Sequence, residues 1–249
     1  GIDTVKFTGK FKDYTITRQV FEQDGSNLSG STLTLKDNRS SFNDGIDKLK
    51  NIEFIEFNDQ KVSEDKVDSI KVYSGDFSDY KFYNVGNNKY KLGTEKGTDD
   101  ITGFPSIQFD DQTISSIVDI KGTFDQVTGK DNITGKIFRL YNAAFKRFPD
   151  SDGLKYWITQ RTNGTNTDRV IASSFIQSPE FKQRYGADLN NGQFINTIYN
   201  NVLGRLPDSS GYAYWTGQLN NGIETRYEVL LGFAESAENK TLFTEMTGF

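Results

Sequence analysis

The chain has neither cysteine nor histidine among its 249 residues. The first absence excludes a disulfide framework, thiolate chemistry and cysteine-ligated zinc. The second excludes Ser-His-Asp triads, histidine general bases and histidine-ligated metals. A single Met and a hydrophobic fraction of 35% leave little aliphatic material for a core, whereas aromatic residues reach 14%. The core is therefore expected to rest on Phe and Tyr, which bury large areas each. Positive charge is in deficit, with 29 Lys+Arg against 34 Asp+Glu and a net charge of −5. That balance argues against nucleic acid as a partner. No apolar run approaches membrane-spanning length, so no membrane insertion is expected. No Gly-rich phosphate loop occurs. The chain opens on Gly1 without Met or signal peptide, which reads as a processed product or an excised piece. Richness in Gly, Asn, Asp, Ser and Thr without Cys fits an extracellular, secreted or cell-surface bacterial protein.

Two periods divide the chain. Up to about residue 115 short alternating stretches predict strands: Val5 and Phe7, Tyr14 and Ile16, Leu33 and Leu35, Ile70 and Val72, Tyr80 and Phe82, Ile107 and Phe109. In "NIEFIEF" the alternation slips between Phe54 and Ile55, which predicts either two buried faces or a bulge. This half repeats internally. "GKFKDY" at Gly9–Tyr14 matches "GDFSDY" at Gly75–Tyr80, and Gly45–Gln60 aligns without a gap to Gly97–Gln112. The opening "GIDTV" at Gly1 resembles "GIDKL" at Gly45.

From about Asp131 the period becomes helical. Ile137, Leu140, Tyr141, Ala144 and Phe145 fall on one face, as do Ile195, Ile198, Tyr199 and Val202. Ser178-Pro179-Glu180 is a helix start, and Gly164, Gly186 and Gly222 follow helical runs. The fold class expected is α+β in two segregated halves. An all-β tandem (modules 1–64 and 65–118, sandwich- or solenoid-like) precedes a linker at 119–136. An all-α bundle follows at 137–249, built from two copies of a repeat of about 58 residues (137–190 and 191–249).

"FKRFPDSDGLKYW" (Phe145–Trp157) and "LGRLPDSSGYAYW" (Leu203–Trp215) share seven of thirteen positions. Three readings of this motif stand side by side. In the structural one, Pro149 and Pro207 end a helix, and Asp150 and Asp208 cap the next. Gly153 and Gly211 sit where backbones approach closely, and Trp157 and Trp215 pack inward. Arg147 and Arg205 pair with the Asp or bond to helix-end carbonyls. In the metal reading, "DSDG" with Asp150 and Asp152 resembles the start of an EF-hand calcium loop, although Ser210 replaces the second acid in the other copy. In the ligand reading, Tyr156 and Trp157 form a sugar-stacking platform with one ring of each pair exposed. Asp47, Asp59, Asp99 and Asp111 are further candidate calcium ligands and equally ordinary turn residues. No spacing singles out a glycosidase pair of carboxylates, so no enzymatic activity is expected.

The helical half resembles an uncharacterised bacterial domain family. The resemblance rests on Leu140-Tyr141, Arg147, Pro149-Asp150, Gly153 and Tyr156-Trp157, on Phe175–Phe181 with Tyr185-Gly186, and on the second copy from Tyr199 to Trp215 and Val229–Asn239. It spans about 105 residues, from near Gly135 to Lys240. Members commonly lie C-terminally in large secreted bacterial proteins, often beside RTX-type calcium-binding repeats. The β half is similar to segments that flank such arrays, through Gly45, Asp47, Leu49, Asn51-Ile52-Glu53, Ile55, Phe57 and Asp59, while the calcium nonapeptide itself is absent. The family has no established activity, so the resemblance implies location and context; the sequence as a whole is read as a non-catalytic structural or interaction segment of an adhesin, surface layer or similar extracellular assembly. Partners expected are further copies of the chain or other cell-surface proteins, met in part through open β edges. The alternatives are a calcium- or glycan-binding module of an RTX-type protein, with Ca2+ as the one candidate cofactor and surface glycan as partner, and a virion structural protein.

Overall fold

The computed structural model describes residues 2–21, 30–41 and 43–249. Gly1 of the opening repeat lies outside the described residues. The architecture is α+β, with strands in small sheets between Thr4 and Ser115 and helices from Ser116 onward. The chain divides into two compact units, one of Gly1–Asp76 with Ile101–Lys121, the other of Phe77–Asp100 with Gly122–Phe249.

The β repeat seen in the sequence is a repeat of topology. β1 (Thr4–Lys6), β5 (Phe54–Glu56) and β6 (Lys61–Ser63) form a sheet in the order β1-β5-β6, parallel then antiparallel. Between them β2 (Tyr14–Phe21), β3 (Gly30–Asp37) and β4 (Ile46–Leu49) make an antiparallel meander. The plan recurs with β7 (Ile70–Val72), β11 (Ser106–Gln108) and β12 (Thr113–Ser115), and with the meander β8 (Phe82–Asn84), β9 (Tyr90–Thr94) and β10 (Gly97–Asp100). Individual bonds recur too. The Gly9 carbonyl accepts from Asn58 N and the Gly75 carbonyl from Asp110 N, both at 2.9 Å. Phe57 N donates to Gln60 O and Phe109 N to Gln112 O, at 2.6 and 2.7 Å. The identical Phe and Gln therefore close tight turns, and the identical Gly joins segments far apart in the chain.

In the first unit Leu33, Leu35, Ile55, Phe57, Val62 and Val67 share a core with Phe7 and Tyr14. Phe57 meets Phe7, Phe11 and Tyr14 at 5.9, 5.1 and 5.3 Å. The slipped alternation has a simple cause. Ile55 and Phe57 face the core, and Phe54 takes the other face with the Lys61 ammonium 4.4 Å from its ring. Alternation fails at β7, where Ile70 and Val72 are 54% and 66% exposed. Tyr73 stacks on Phe109 at 6.0 Å and Lys71 covers Phe104 at 4.9 Å, so the opposite parity turns inward. A polar knot closes the β2–β3 end: Arg39 holds buried Asp37 at 2.5 Å and reaches Thr8 and Asp44 at 2.8 and 3.2 Å. That guanidinium keeps the Asp37 carboxyl well below the usual carboxylate range. Tyr14 Oη donates to Asp44 and accepts from Gly9 N, and burial with this bond pushes the phenol up to about 12. A Cβ on Gly9 would lie 2.7 Å from Tyr14 Oη, which explains the glycine of "GKFKDY".

In the second unit the helical repeat appears as two sets of helices 58 residues apart. α2 (Ile133–Phe145), α3 (Ser151–Thr162), α4 (Asp168–Gln177) and α5 (Pro179–Tyr185) correspond to α6 (Asn191–Leu203), α7 (Ser209–Asn220), α8 (Arg226–Ala234) and α9 (Ala237–Thr247). Every start carries the same cap in both sets. Asn132 and Asn190, Asp150 and Asp208, Thr167 and Thr225, and Ser178 and Ser236 each accept from the amide three residues on. Each cap satisfies one of the amides a helix start leaves free. The two sets join through α2 against α6 and α8, and α4 against α8. Buried amides cross that seam: Asn201 donates to the Ala143 and Ala144 carbonyls at 3.2 Å, and Asn239 to the Arg139 and Ala234 carbonyls at 3.1 and 2.9 Å. Arg139 is fully buried, paired with Glu235 at 2.5 Å and bonded to the Lys130 carbonyl. A charge so placed requires those partners.

Residues 119–136, expected as a linker, are folded: a π-turn at Ser116–Lys121 leads into α1 (Gly122–Phe124), and Ile120, Thr123, Phe124 and Val127 are buried. Within the second unit Phe82 of β8 packs on Phe148 at 4.9 Å and Tyr90 of β9 stacks on Phe124 at 5.8 Å. The core is aromatic, as the composition requires. Among the described residues no helix is long and apolar enough to cross a membrane.

Candidate functional site

The proline corners come first because the sequence singles them out. Asp150 Oδ1 accepts from Gly153 N and Asp208 Oδ1 from Gly211 N, both at 2.7 Å. The amide of Gly211 is the chief reason the Asp208 carboxyl titrates below its ordinary range. A Cβ on Gly153 would collide with the Tyr141 hydroxyl, and one on Gly211 would lie 2.6 Å from the Tyr199 hydroxyl. The glycines thus admit a tyrosine from the preceding helix. Burial pushes the Tyr141 phenol far up, so it is protonated at neutral pH. Arg147 lies over Tyr141 at 5.4 Å and pairs with Glu180 at 2.5 Å and Asp150 at 3.2 Å, while Arg205 lies over Tyr199 at 5.7 Å. Trp157 meets Phe175 at 5.4 Å and Trp215 meets Phe233 at 5.5 Å.

Both indoles are half-buried rather than interior. Tyr156 and Tyr214, edge-on to them, are 53% and 57% exposed. One ring of each pair is therefore outward, as helix geometry dictates.

The candidate metal ligands do not converge. Asp47 lies in β4 opposite Leu35, Asp99 in β10 opposite Leu92, and Asp59 accepts from Phe11 N at 2.9 Å. Asp111 occupies the turn between β11 and β12. Asp150 is a cap, and Asp152 is exposed in the first turn of α3. Among the described residues no three carboxylates gather as a metal site.

What the structure adds is a cleft of about 630 Å³ in the second unit, walled by α2, α5, α6, α9 and the Ser78–Lys81 turn. Asn201 and Tyr185 line it. Asn201 is 5% exposed, and its amide nitrogen is committed to the α2 carbonyls. That leaves its buried Oδ1 turned towards the Tyr185 side chain. The Tyr185 hydroxyl is buried as well and lies within side-chain hydrogen-bonding reach of Asn201 and Arg184. Burial pushes this phenol up to about 12, with Asn201 and Arg184 near enough to oppose the rise. One signal in the sequence marks the place: Asn201 stands on the apolar stripe of α6, where α2 has Ala143.

No curated protein and no solved structure matches the chain. Residues 172–243, running from α4 to α9 and making up less than half the chain, match the family described as "Domain of unknown function (DUF4214)". The match marks this segment as belonging to an uncharacterised domain family.

Proposed function

We propose that the chain is a non-catalytic structural and interaction segment of a secreted or cell-surface bacterial protein, such as an adhesin or a surface-layer component. One observation carries this reading: in both halves the repeated residues are engaged in holding shape. The duplicated Asp, Gly and Trp of the corners are a cap, a close approach and a ring contact. The duplicated Phe and Gln of the β half close tight turns, and the duplicated Gly joins segments far apart in the chain. Duplication of shape-holding residues suits a spacer or assembly module. The outer strands of the three-stranded sheets each pair on one side, a geometry that accepts a further strand from a neighbouring copy. The likeness of the β segments to those flanking RTX arrays supports the same setting.

The test is accessibility on intact producing cells. An antibody to the chain should label unpermeabilised cells or the culture medium, and external protease should remove the signal. Confinement of the chain to the cytosolic fraction would overturn the reading.

A further inference from the structure

We infer that the open edge of β7 is where two copies of this chain join, strand to strand across a two-fold axis. The inference deepens the assembly reading and rests on it. Among the described residues β7 (Ile70–Val72) pairs with β11 alone. On that side the Tyr73 amide donates to Gln108 O at 2.9 Å. Alternate residues of a strand turn their main-chain groups to opposite sides, so those of Ile70 and Val72 point to the open side. Such a row is a template for another strand. Both side chains are also exposed, Ile70 at 54% and Val72 at 66%.

The matching sheet of the first module is guarded by charge. Lys6 of β1 pairs with Glu56 of β5 at 3.0 Å, and Lys61 of β6 stands beside them, over Phe54. In the second module the same face carries Ile70 and Val72 of β7, Ser106 and Gln108 of β11, and Thr113 and Ser115 of β12. Charge is the usual guard of an edge, and this face has none. Lys71 belongs to the opposite face, 4.9 Å from the Phe104 ring. Exposed Ile46 of β4 has Lys48 on its own face. A second β7 fits the open edge by its own symmetry. With Lys71 on an antiparallel two-fold, Ile70 faces Val72 of the partner subunit, and such a pair exchanges both main-chain bonds. Their side chains meet on the uncharged face. A strand of this length buries far less than the roughly 800 Å² per partner of a stable interface, so the contact is weak and depends on concentration.

The experiment is sedimentation equilibrium of the full chain from about 20 μM to about 1 mM, the range in which weak contacts form. The average mass should rise from that of one chain towards that of two and stop there, because a two-fold closes the edge. Ile70→Lys and Val72→Lys, both at exposed positions, should leave the melting temperature unchanged and keep the chain monomeric. Val72→Pro, which an edge tolerates where the N–H faces solvent, removes one outward donor and should have the same effect. Thr113→Lys places an equal charge on the exposed outer strand β12 of the same sheet and should leave the mass curve as it was. A monomer at the highest concentration, growth beyond two chains, undiminished association in a folded β7 variant, or an equal loss in Thr113→Lys would overturn the inference. A monomer leaves cell-surface labelling untouched, and cytosolic confinement leaves the mass curve untouched, so the two proposals fail separately.

Discussion

Phe148, in the first proline corner, is 2% exposed, and its counterpart Leu206 in the second is 66% exposed. The residues around them are nearly the same. Caps, glycine–tyrosine approaches and tryptophan–phenylalanine contacts agree to within a few tenths of an ångström. The surroundings differ. Phe148 packs on Phe82, Phe124 and Phe138, at 4.9, 5.0 and 5.8 Å, and the Pro149 carbonyl accepts from buried Thr123 at 3.0 Å. Both arginines donate to the next carbonyl, Arg147 to Phe148 at 3.0 Å and Arg205 to Leu206 at 3.3 Å, but Arg147 also pairs with Glu180 while Arg205 has no ion pair among the described residues. Duplication thus preserves the caps, glycine–tyrosine approaches and ring contacts of each corner, although the Arg147–Glu180 pair, also made inside one copy, has no counterpart at Arg205 and Glu238 among the described residues. What covers a copy comes from elsewhere in the chain and differs between the two.

That contrast sets the largest expected effect. Phe148→Ala removes a ring from an aromatic cluster and should cost about 3–5 kcal/mol. Leu206→Ala trims an exposed side chain and should change stability by less than about 0.5 kcal/mol. Urea unfolding of the two variants side by side measures the difference, and equal midpoints would break the comparison.

The shared part of the corners makes the opposite demand, that both copies respond alike. Gly153→Ala and Gly211→Ala each force a methyl group into a tyrosine hydroxyl and should each cost about 1–3 kcal/mol, the usual range for overpacking. Combining Gly211→Ala with Tyr199→Phe removes the closest contact, leaving the Asp208 carboxylate at 3.3 Å, and should recover most of the loss. Stabilisation by either alanine, as helix propensity alone would give, would mean that these glycines do not serve the tyrosines.

The same division between local and covering contacts decides what could be read from the residues alone. Asp150, Asp208 and Ser178 announce helix starts because a cap acts on an amide three residues away. The β repeat is legible in part for the same reason: its identical Phe and Gln residues close turns of a few residues. Burial is less legible. Ile70 and Val72 alternate as a core face should, yet the parity that turns inward depends on Phe104 and Phe109, more than thirty residues on. Residues 119–136 look like a linker because Gly, Asp and Thr mask Phe124 and Val127, whose neighbours lie in α2, α3 and β9. The cleft is the extreme case. Tyr185 and Asn201 sit on different helices, and only the displaced polar residue on the α6 stripe hints at it.

The smallest test concerns how each corner begins. α6 ends on Gly204 in the left-handed region at φ 65°, and α2 ends on Lys146 in the same conformation at φ 51°. Nothing lies within 4 Å of a Cβ built on Gly204, so any cost of a side chain there is conformational. A left-handed residue with a Cβ costs roughly 1–2 kcal/mol, and glycine returns part of this through the freedom it loses on folding. Lys146→Gly should therefore raise stability by about 0.5–1 kcal/mol, and Gly204→Lys should lower it by a similar amount. Because Lys146 lines the cleft, the substitution also shows whether its ammonium offsets the strain it imposes. A destabilised Lys146→Gly protein would mean that contacts on the cleft rim outweigh the backbone term, and that the first corner differs from the second in its helix end as well as in its cover.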